Sequence, residues 1–542
     1  MAGERKGFLG QLAEAAVCLA NAGGGVIVLG VRDKATSRAE ALQGVDPDLY
    51  PLDVIRLAIH NGTSPSLTCD ALSHEVDGVH LVLVRVPHGA VVHGTTGGVY
   101  KRRVGDQCLP IPSDVMRDLN AARGQYDWSA GETDLDVGAT SPAALLAAGD
   151  ALRRAGRVDL ADLAERDPLA FLTNCGLMGV KGLRRAAVLL YGRPEALGSL
   201  VPDWGIVVTA APSPGAEGTV VMRKAESREK PIILLIEEVV SRLSVLSSVE
   251  TFRAGARQIE MVDYPEDVIR ELVANAFAHR DWERSGTIQI LHTPDELVIS
   301  SPGALLPTLH ADRLLRETAQ RNRMLAGEIA RLRLAEGAGL GFDRVWRSLA
   351  ILGKPPPSIT PGPDFIVGVP GGQGDSAFAK YVQGPIFPAR LSTDLDVLLT
   401  LAWLRGRRTV NAPSIAPTLQ RDDATTQRVL QRMQDEGLIE PTRATARGAT
   451  PLYRLTAAVR AAMRGALAYR VESIDSDDEK LLGHLRRYRR ISNQDVRDYL
   501  DCDIMTARNR LQRMRLKGWI AFDPAGPLRG ANVRYVAKDV PT

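Results

Sequence analysis

The sequence predicts an α+β protein of several domains, and three observations carry that reading. A chain of 542 residues exceeds what one core organises, because domains usually run ~100–200 residues. Helical and strand-like apolar patterns both occur through the first 370 residues. The stretch LQRM occurs twice, at 430–433 and 511–514, and each copy is followed three residues later by glycine and a hydrophobic pair. Those followers are Gly437-Leu438-Ile439 and Gly518-Trp519-Ile520, so the repeat is longer than four letters.

Composition is that of a soluble globular chain, 45% hydrophobic and 24% charged. No apolar run approaches the ~18 residues that span a bilayer, and the start MAGERKGFLG lacks a signal-peptide pattern. Cys18, Cys69, Cys108, Cys175 and Cys502 are far apart with no CxxC pair. The expectation is a cytoplasmic protein with reduced thiols, no structural metal and no membrane partner. Net charge is +3, but from Arg390 onward 27 Lys+Arg face 18 Asp+Glu, which leaves residues 1–389 at −6. A basic C-terminal part on an acidic body points to an anionic partner.

Taken in order, residues 12–34 (LAEAAVCLANAGGGVIVLGVRDK) read as an apolar helix ending at Asn21, a glycine turn and a buried strand. Three glycines before the strand are the wrong order for a dinucleotide fold, where they follow it. The segment 97–119 carries Lys101, Arg102 and Arg103, which can hold phosphate or simply form a solvated strand edge. Residues 129–165 are Ala-, Asp- and Gly-rich with helical spacing and read as a helical connector. In MVDYPEDVIRELVANAFAHRDWE (261–283), Pro265 opens a helix with Glu271 and Asn275 on one face at i, i+4. His279 and Asp281 read as a network at the helix end. Two strands and the turn Ser301-Pro302-Gly303 follow, then the glycine-rich run 336–341 opens a helix. Residues 354–390 are dense in Pro and Gly and read as a last strand followed by a hinge.

Each LQRM copy sits in the same order of elements: helix, helix, turn, helix, hairpin. The first has Asp423 as N-cap of its third helix, the second opens its middle helix on Ser492. Within LQRM, Leu and Met are read as packing residues and Gln and Arg as outward-facing.

Three resemblances follow from these motifs. The helix-helix-helix-hairpin repeat resembles a tandem winged helix, a helix-turn-helix variant. That implies double-stranded DNA as partner, with the third helix in the major groove. The implied base-facing residues are Thr425, Thr426, Gln427 and Arg428 in the first copy and Thr506, Arg508, Asn509 and Arg510 in the second. Arg443, Arg447 and Arg529 would meet phosphate at the wing tips. A protein-docking role is the alternative.

Residues 1–125 resemble the Schlafen-type AlbA-like α/β domain of bacterial regulators. The motifs are Asn21-Ala22-Gly23-Gly24, Leu29-Gly30-Val31-Arg32-Asp33 and Tyr100-Lys101-Arg102-Arg103-Val104-Gly105-Asp106. Nuclease relatives hold a metal with three carboxylates. Here Glu4, in an E-x-K setting with Lys6, and Asp33 match two of them, and nothing upstream supplies the other.

Residues 180–370 resemble a divergent GHKL-type ATP-binding α/β sandwich, through ELVANAFAHRDW, SPG and the EGAGLG run. The resemblance implies ATP with magnesium, Glu271 as base for the attacking water and Asn275 as magnesium ligand. Gly337, Gly339 and Gly341 would face phosphates, and Ser301 and Gly303 would stand where relatives place an adenine-reading aspartate. That substitution makes the adenine site degenerate.

The sequence thus predicts a Schlafen-type domain (1–125), a helical connector (126–179), a GHKL-like domain (180–370) and winged helices at 390–465 and 474–542. The predicted function is a DNA-binding transcriptional regulator, forming a dimer or higher homo-oligomer, with nucleotide tuning occupancy and at most weak ATP hydrolysis. The alternative is a metal-dependent nucleic-acid-processing effector using Glu4 and Asp33.

Overall fold

The structure is a computed structural model that describes residues 2–254, 257–335, 341–442, 445, 450–468, 477–500, 502–527, 530 and 533–538. The chain forms two compact units. One comprises Met1–Ser244, Ile269–Phe342 and Ser358–Gly368, the other Val245–Val268, Asp343–Pro357 and Val369–Thr542.

The first unit begins with helix α1 (Ala2–Ala20), strand β1 (Gly25–Leu29), helix α2 (Leu52–Gly62) and strands β2 (Asp70–Val76) and β3 (Val79–Val86). The strands form an antiparallel sheet in the order β1-β3-β2, with Val28 opposite Leu83 and Leu83 opposite Leu72. Alternate residues of β3, Val82, Val84 and Val86, join Ala16, Ala20, Ile55 and Ile59 in the core. Alanines on the buried face of α1 let the α2 backbone come close, since a Cβ at Gly62 would lie 2.8 Å from the Ala13 Cβ. The turn into β1 needs glycine: Gly24 has φ +88°, and a Cβ there would lie 2.8 Å from the Val86 carbonyl oxygen.

Strands β4 (Lys101–Val104) and β5 (Gln107–Pro110) form a hairpin that pairs Arg103 with Cys108, and helix α3 (Ser113–Ala122) follows. Cys108 is bonded to Cys18 of α1, with S–S 1.95 Å and Cα–Cα 5.9 Å. This corrects the expectation that all five thiols are free. The pair is 90 residues apart in sequence, so no spacing signal announces it; only the packing of the hairpin on α1 brings the two sulfurs together.

Short helices occupy the connector, among them Pro142–Arg154, Val158–Arg166 and Pro168–Asn174. A six-stranded mixed sheet then forms from β6 (Ile206–Ala210), β7 (Thr219–Met222), β8 (Ile288–His292), β9 (Glu296–Pro302), β10 (Ser358–Thr360) and β11 (Asp364–Pro370). Its order is β10-β11-β9-β8-β6-β7, with β8 and β6 parallel and β8 and β9 antiparallel. Helix α4 (Glu266–His279) precedes β8, while α5 (Arg323–Arg331) and α6 (Gly341–Ile351) lie between β9 and β10 in sequence.

The turn after α4, His279-Arg280-Asp281-Trp282, is buried by an aromatic ladder. Trp282 lies 6.1 Å from Trp128 and 5.8 Å from Trp204, and Trp204 lies 6.4 Å from Phe277. Arg280 sits over Trp282 at 5.2 Å and donates to the Arg284 and Gly286 carbonyls, both at 3.0 Å. Burial comes first among the causes that push the His279 imidazole down to about 4, and the nearby Arg321 adds to it.

In the second unit, Val249–Ala254 pairs antiparallel with Arg257–Val262. The Pro/Gly-rich stretch expected as a hinge contains the helix Ser376–Val382, whose Phe378, Ala379, Tyr381 and Val382 are buried. Apolar residues at helical spacing therefore override the breaker composition around them. Two similar modules follow. The first is α7 (Leu395–Gly406), α8 (Ala412–Leu419), α9 (Asp423–Asp435) and the pair β12 (Ile439–Pro441) and β13 (Tyr453–Leu455). The second is α10 (Asp477–Tyr488), β14 (Arg490–Ser492), α11 (Asn493–Leu500), α12 (Ile504–Leu516), β15 (Ile520–Phe522) and β16 (Arg534–Ala537). The N-cap of α9 is Asp422, one residue before the expected Asp423. Ser492 and Asp495 cap α11 reciprocally, backbone N–H to side chain at 2.7 and 3.2 Å.

The repeated LQRM has a physical basis. Leu430 and Met433 are buried, as are Leu511 and Met514, and the Gln and Arg between them are exposed. In both copies Met is the third residue from the helix end. Its carbonyl accepts from Leu438 N at 2.9 Å in one and from Trp519 N at 3.0 Å in the other. Gly437 (φ +72°) and Gly518 (φ +77°) supply the left-handed residue of this Schellman motif. LQRM-x-x-x-G is thus a helix that buries two residues and then stops.

Two predictions follow from these elements. Gly437→Ala and Gly518→Ala each meet open space, so their cost is the left-handed backbone alone, about 1–2 kcal/mol by chemical denaturation, with Gly437→Asn costing less. His279 has a folded value below its unfolded one, so its contribution is present above about 6.5 and lost as pH falls toward 4. Thermal unfolding between pH 7 and pH 4.5 will show His279→Gln losing less stability than the parent chain, by roughly 1–3 kcal/mol.

Candidate functional site

On α4, Glu271 and Asn275 are one turn apart, and Asn275 Nδ2 donates to Glu271 Oε1 at 3.1 Å. Glu271 is 1% exposed, an unusual place for a carboxylate. It lies against the first residue of α6: a Cβ at Gly341 would overlap Glu271 Oε1 and sit 3.2 Å from Asn275 Nδ2. Glycine is required there by space, because the helix start and the carboxylate occupy neighbouring volumes. A helix N-terminus beside a carboxylate is electrostatically favourable.

These groups form one wall of a cavity of about 120 Å³. His279, Ser301 and Gly303 line it, and the apolar remainder includes Leu305, Leu314, Phe342 and Phe365. The Ser301 hydroxyl donates to the Ala276 carbonyl at 2.9 Å, so only its oxygen lone pairs are open to a ligand donor. Gly303 has φ +124°, and a Cβ there would lie 3.0 Å from Asp281 N. The cavity wall thus rests on the His-Arg-Asp-Trp turn. Gly337 and Gly339 lie outside the described residues.

Charges from α3 brace that wall. Arg117 pairs with Asp281 at 2.5 Å and Glu283 at 3.0 Å. Asp118 pairs with Arg321, which lines the cavity and also donates to the Ala304 carbonyl at 2.8 Å. Helix α5 is capped from the same region: Met324 N donates to Asp127 Oδ2 at 2.8 Å and Leu325 N to Ser129 Oγ at 3.1 Å. Arg321 and the leucines after Gly303 escaped the motif reading. The sequence signal for the leucines is the apolar spacing of 305–314.

The DNA-facing expectations divide. In α9, Thr426 is fully buried and cannot face a partner, which corrects its assignment. Gln427 donates to the Tyr453 hydroxyl at 2.9 Å, and Thr425 caps on Asp422 and accepts from Arg428 at 2.9 Å. Only Arg428 of that set is exposed. In α12, Thr506 is tied to the N-cap Asp503, while Arg508 and Asn509 are exposed and Arg510 is half-buried. Exposed Arg486, Arg487, Arg489 and Arg490 cluster at the end of α10 and the start of β14. Arg443, Arg447 and Arg529 lie outside the described residues.

In the N-terminal domain, Lys101 pairs with Glu14, and Arg103 Nε donates to the Gly105 carbonyl at 3.1 Å. Asp33 is exposed on a turn, and the Glu4 side chain lies outside the described residues. Among the described residues no group of three His, Cys, Asp or Glu side chains is placed to hold a metal. Among the same residues, no helix is long and apolar enough to cross a membrane.

Residues 2–112 match the family described as Schlafen, AlbA_2, which ends just before α3. Residues 286–367 match the family described as putative ATP-dependent DNA helicase recG C-terminal, which takes in Ser301, Gly303 and Gly341. Among solved structures the chain is similar to the DIP2311 protein from Corynebacterium diphtheriae. That similarity has a TM-score of 0.53 and 24% identity, over 85% of this chain and 89% of that one. At this identity the likeness concerns the fold. No curated protein matches the chain. The protein is a mixed α/β multidomain chain that joins a Schlafen AlbA_2 domain to an ATPase-like domain.

Proposed function

We propose that the protein is a DNA-binding transcriptional regulator in which a divergent GHKL-type nucleotide site modulates DNA occupancy by two winged helices. The observation that carries the nucleotide half is the pair of buried Glu271 and half-buried Asn275 at the N-terminus of α6, on the wall of a cavity. The match of residues 286–367 to a family described as ATP-dependent supports it.

The residues present fit a magnesium nucleotide. Asn275 gives its Nδ2 to Glu271, which leaves Oδ1 as the end available to a cation. Glu271 would act as general base toward a water. The N-terminus of α6 would present N–H groups to phosphate oxygens. A bound nucleotide would supply a phosphoanhydride. The apolar wall would take the base, with Ser301 able to accept from an exocyclic amine. A neutral serine discriminates adenine less sharply than a carboxylate, so purine selectivity is modest and turnover slow.

The DNA half rests on the two similar modules and on the exposed Arg508, Asn509 and Arg428 near the starts of α12 and α9. Their cationic surroundings suit phosphate contacts. The proposed boundaries are 1–125, 126–179, 180–370, 390–465 and 474–542, in a cytoplasmic homo-oligomer.

Titration calorimetry of the full chain with ATP and magnesium will give saturable binding. Asn275→Ala will weaken it about tenfold when magnesium is present and leave magnesium-free binding unchanged. Equal affinity of both chains under both conditions would remove Asn275 from the cation. For DNA, anisotropy with a duplex at two salt concentrations will show steep weakening with salt, and Arg508→Gln will reduce the salt slope by about 1. Absence of DNA binding at low salt would turn the two modules into docking devices.

A further inference from the structure

Among the described residues the buried cations are Arg280, Arg321 and Lys354. Arg321 meets the Asp118 carboxylate, and Lys354 Nζ donates to the Asp263 and Pro370 carbonyls. Arg280, 2% exposed, has no carboxylate within ion-pair distance among the described residues. Burial comes first in drawing its guanidinium down to about 10. Asp281, Asp203 and Asp364 oppose that fall from further off, but each has a nearer cation: Arg117 at 2.5 Å, Lys224 at 2.5 Å and Arg284 at 3.2 Å. Arg280 is therefore the charge left over.

Its hydrogens divide in the same way. Nη2 donates to the Arg284 and Gly286 carbonyls, both at 3.0 Å. Nε and Nη1 carry the rest of the guanidinium hydrogens, are shielded from solvent and have no partner among the described residues. The guanidinium lies over Trp282 at 5.2 Å, and the Trp204 ring, 5.8 Å from that of Trp282, also keeps a buried N–H without a partner. The Trp282 N–H is unmet too, but Trp282 shares a cavity of about 10 Å³ with Asn322, whose Oδ1 is a buried acceptor without a partner. One water there can serve both. A water at Arg280 would meet hydrogens and leave the charge, and an uncompensated charge in low dielectric is strongly unfavourable.

We propose that Nε and Nη1 of Arg280 hold a small monovalent anion of the chloride class, buried in the His-Arg-Asp-Trp turn. Such an anion accepts from several N–H groups at once and supplies the missing negative charge. Being weakly hydrated, it gives up its water more readily than a phosphate or a carboxylate, which suits a guanidinium closed in by rings. Arg280 is not among the residues lining the α4 cavity. Gly303 of that cavity leans on Asp281, the next residue of the turn, so the anion braces the wall from behind. Anion binding and nucleotide binding stand or fall separately.

The test follows thermal unfolding of the full chain, without nucleotide, as potassium chloride replaces potassium gluconate at constant ionic strength. The parent chain will melt about 2–4 °C higher in chloride, with a saturable dependence on its concentration, and Arg280→Gln will not respond. Crystals of the parent chain grown in bromide keep the proposal testable if Arg280→Gln does not fold. There an anomalous peak will stand at hydrogen-bond distance from Nε and Nη1 of Arg280. A neutral water in that place, without anomalous signal, would overturn the site. So would a chloride response that Arg280→Gln retains. A bromide peak with no chloride response in solution would mean binding at crystal concentration only, and would overturn it equally.

Discussion

The cavity of the ATPase-like domain depends on charges that are buried only because each meets its counterpart. Asp281 cannot sit 4% exposed without Arg117, and Arg321 cannot sit 5% exposed without Asp118. Removing one partner of such a pair leaves an isolated charge in low dielectric, usually at a cost of about 3–5 kcal/mol. Both partners come from consecutive residues of α3, which directly follows the Schlafen AlbA_2 match. That helix therefore completes the wall of the cavity. Gly303 leans on Asp281, Arg321 lines the cavity, and the aromatic ladder from Trp128 through Trp282 to Trp204 fills the space behind. Directional ion pairs set the geometry, and the rings supply the apolar burial.

What the sequence disclosed follows from how local each signal is. Glu271 and Asn275 share a face because a helix turns every 3.6 residues, and that survives any tertiary arrangement. The halt after LQRM is equally local, because glycine is the residue that best adopts the conformation closing a Schellman motif. The same logic fails where a neighbour distant in sequence decides. Thr426 reads as a first-turn residue of a recognition helix, yet its side chain faces inward. Lys101 reads as a free cation until Glu14 is found beside it. The helix Ser376–Val382 hides in Pro- and Gly-rich composition because four apolar residues outvote the breakers. The Cys18–Cys108 bond spans 90 residues and has no local mark at all.

The two modules of the second unit agree in packing more than in surface. Their buried Leu and Met and the terminal glycine are the same residues at equivalent places. Their outward residues differ: Arg428 is tethered to Thr425, whereas Arg508 and Asn509 project beside exposed Ile504 and Met505. A core position answers to many neighbours at once, while a surface position answers only to its partner.

Each unit is assembled from three separate stretches of chain, so the backbone passes from one to the other five times. Four of those passages fall inside the helices Ile232–Leu246, Glu266–His279 and Gly341–Ile351 and the strand Asp364–Pro370. Neither unit is a bead on a string. A protease that nicks the chain at one passage frees nothing, because four other threads still join the halves. Any truncation meant to isolate one unit must cut through regular structure. A fragment cut at any of those four passages would therefore inherit a broken helix or strand.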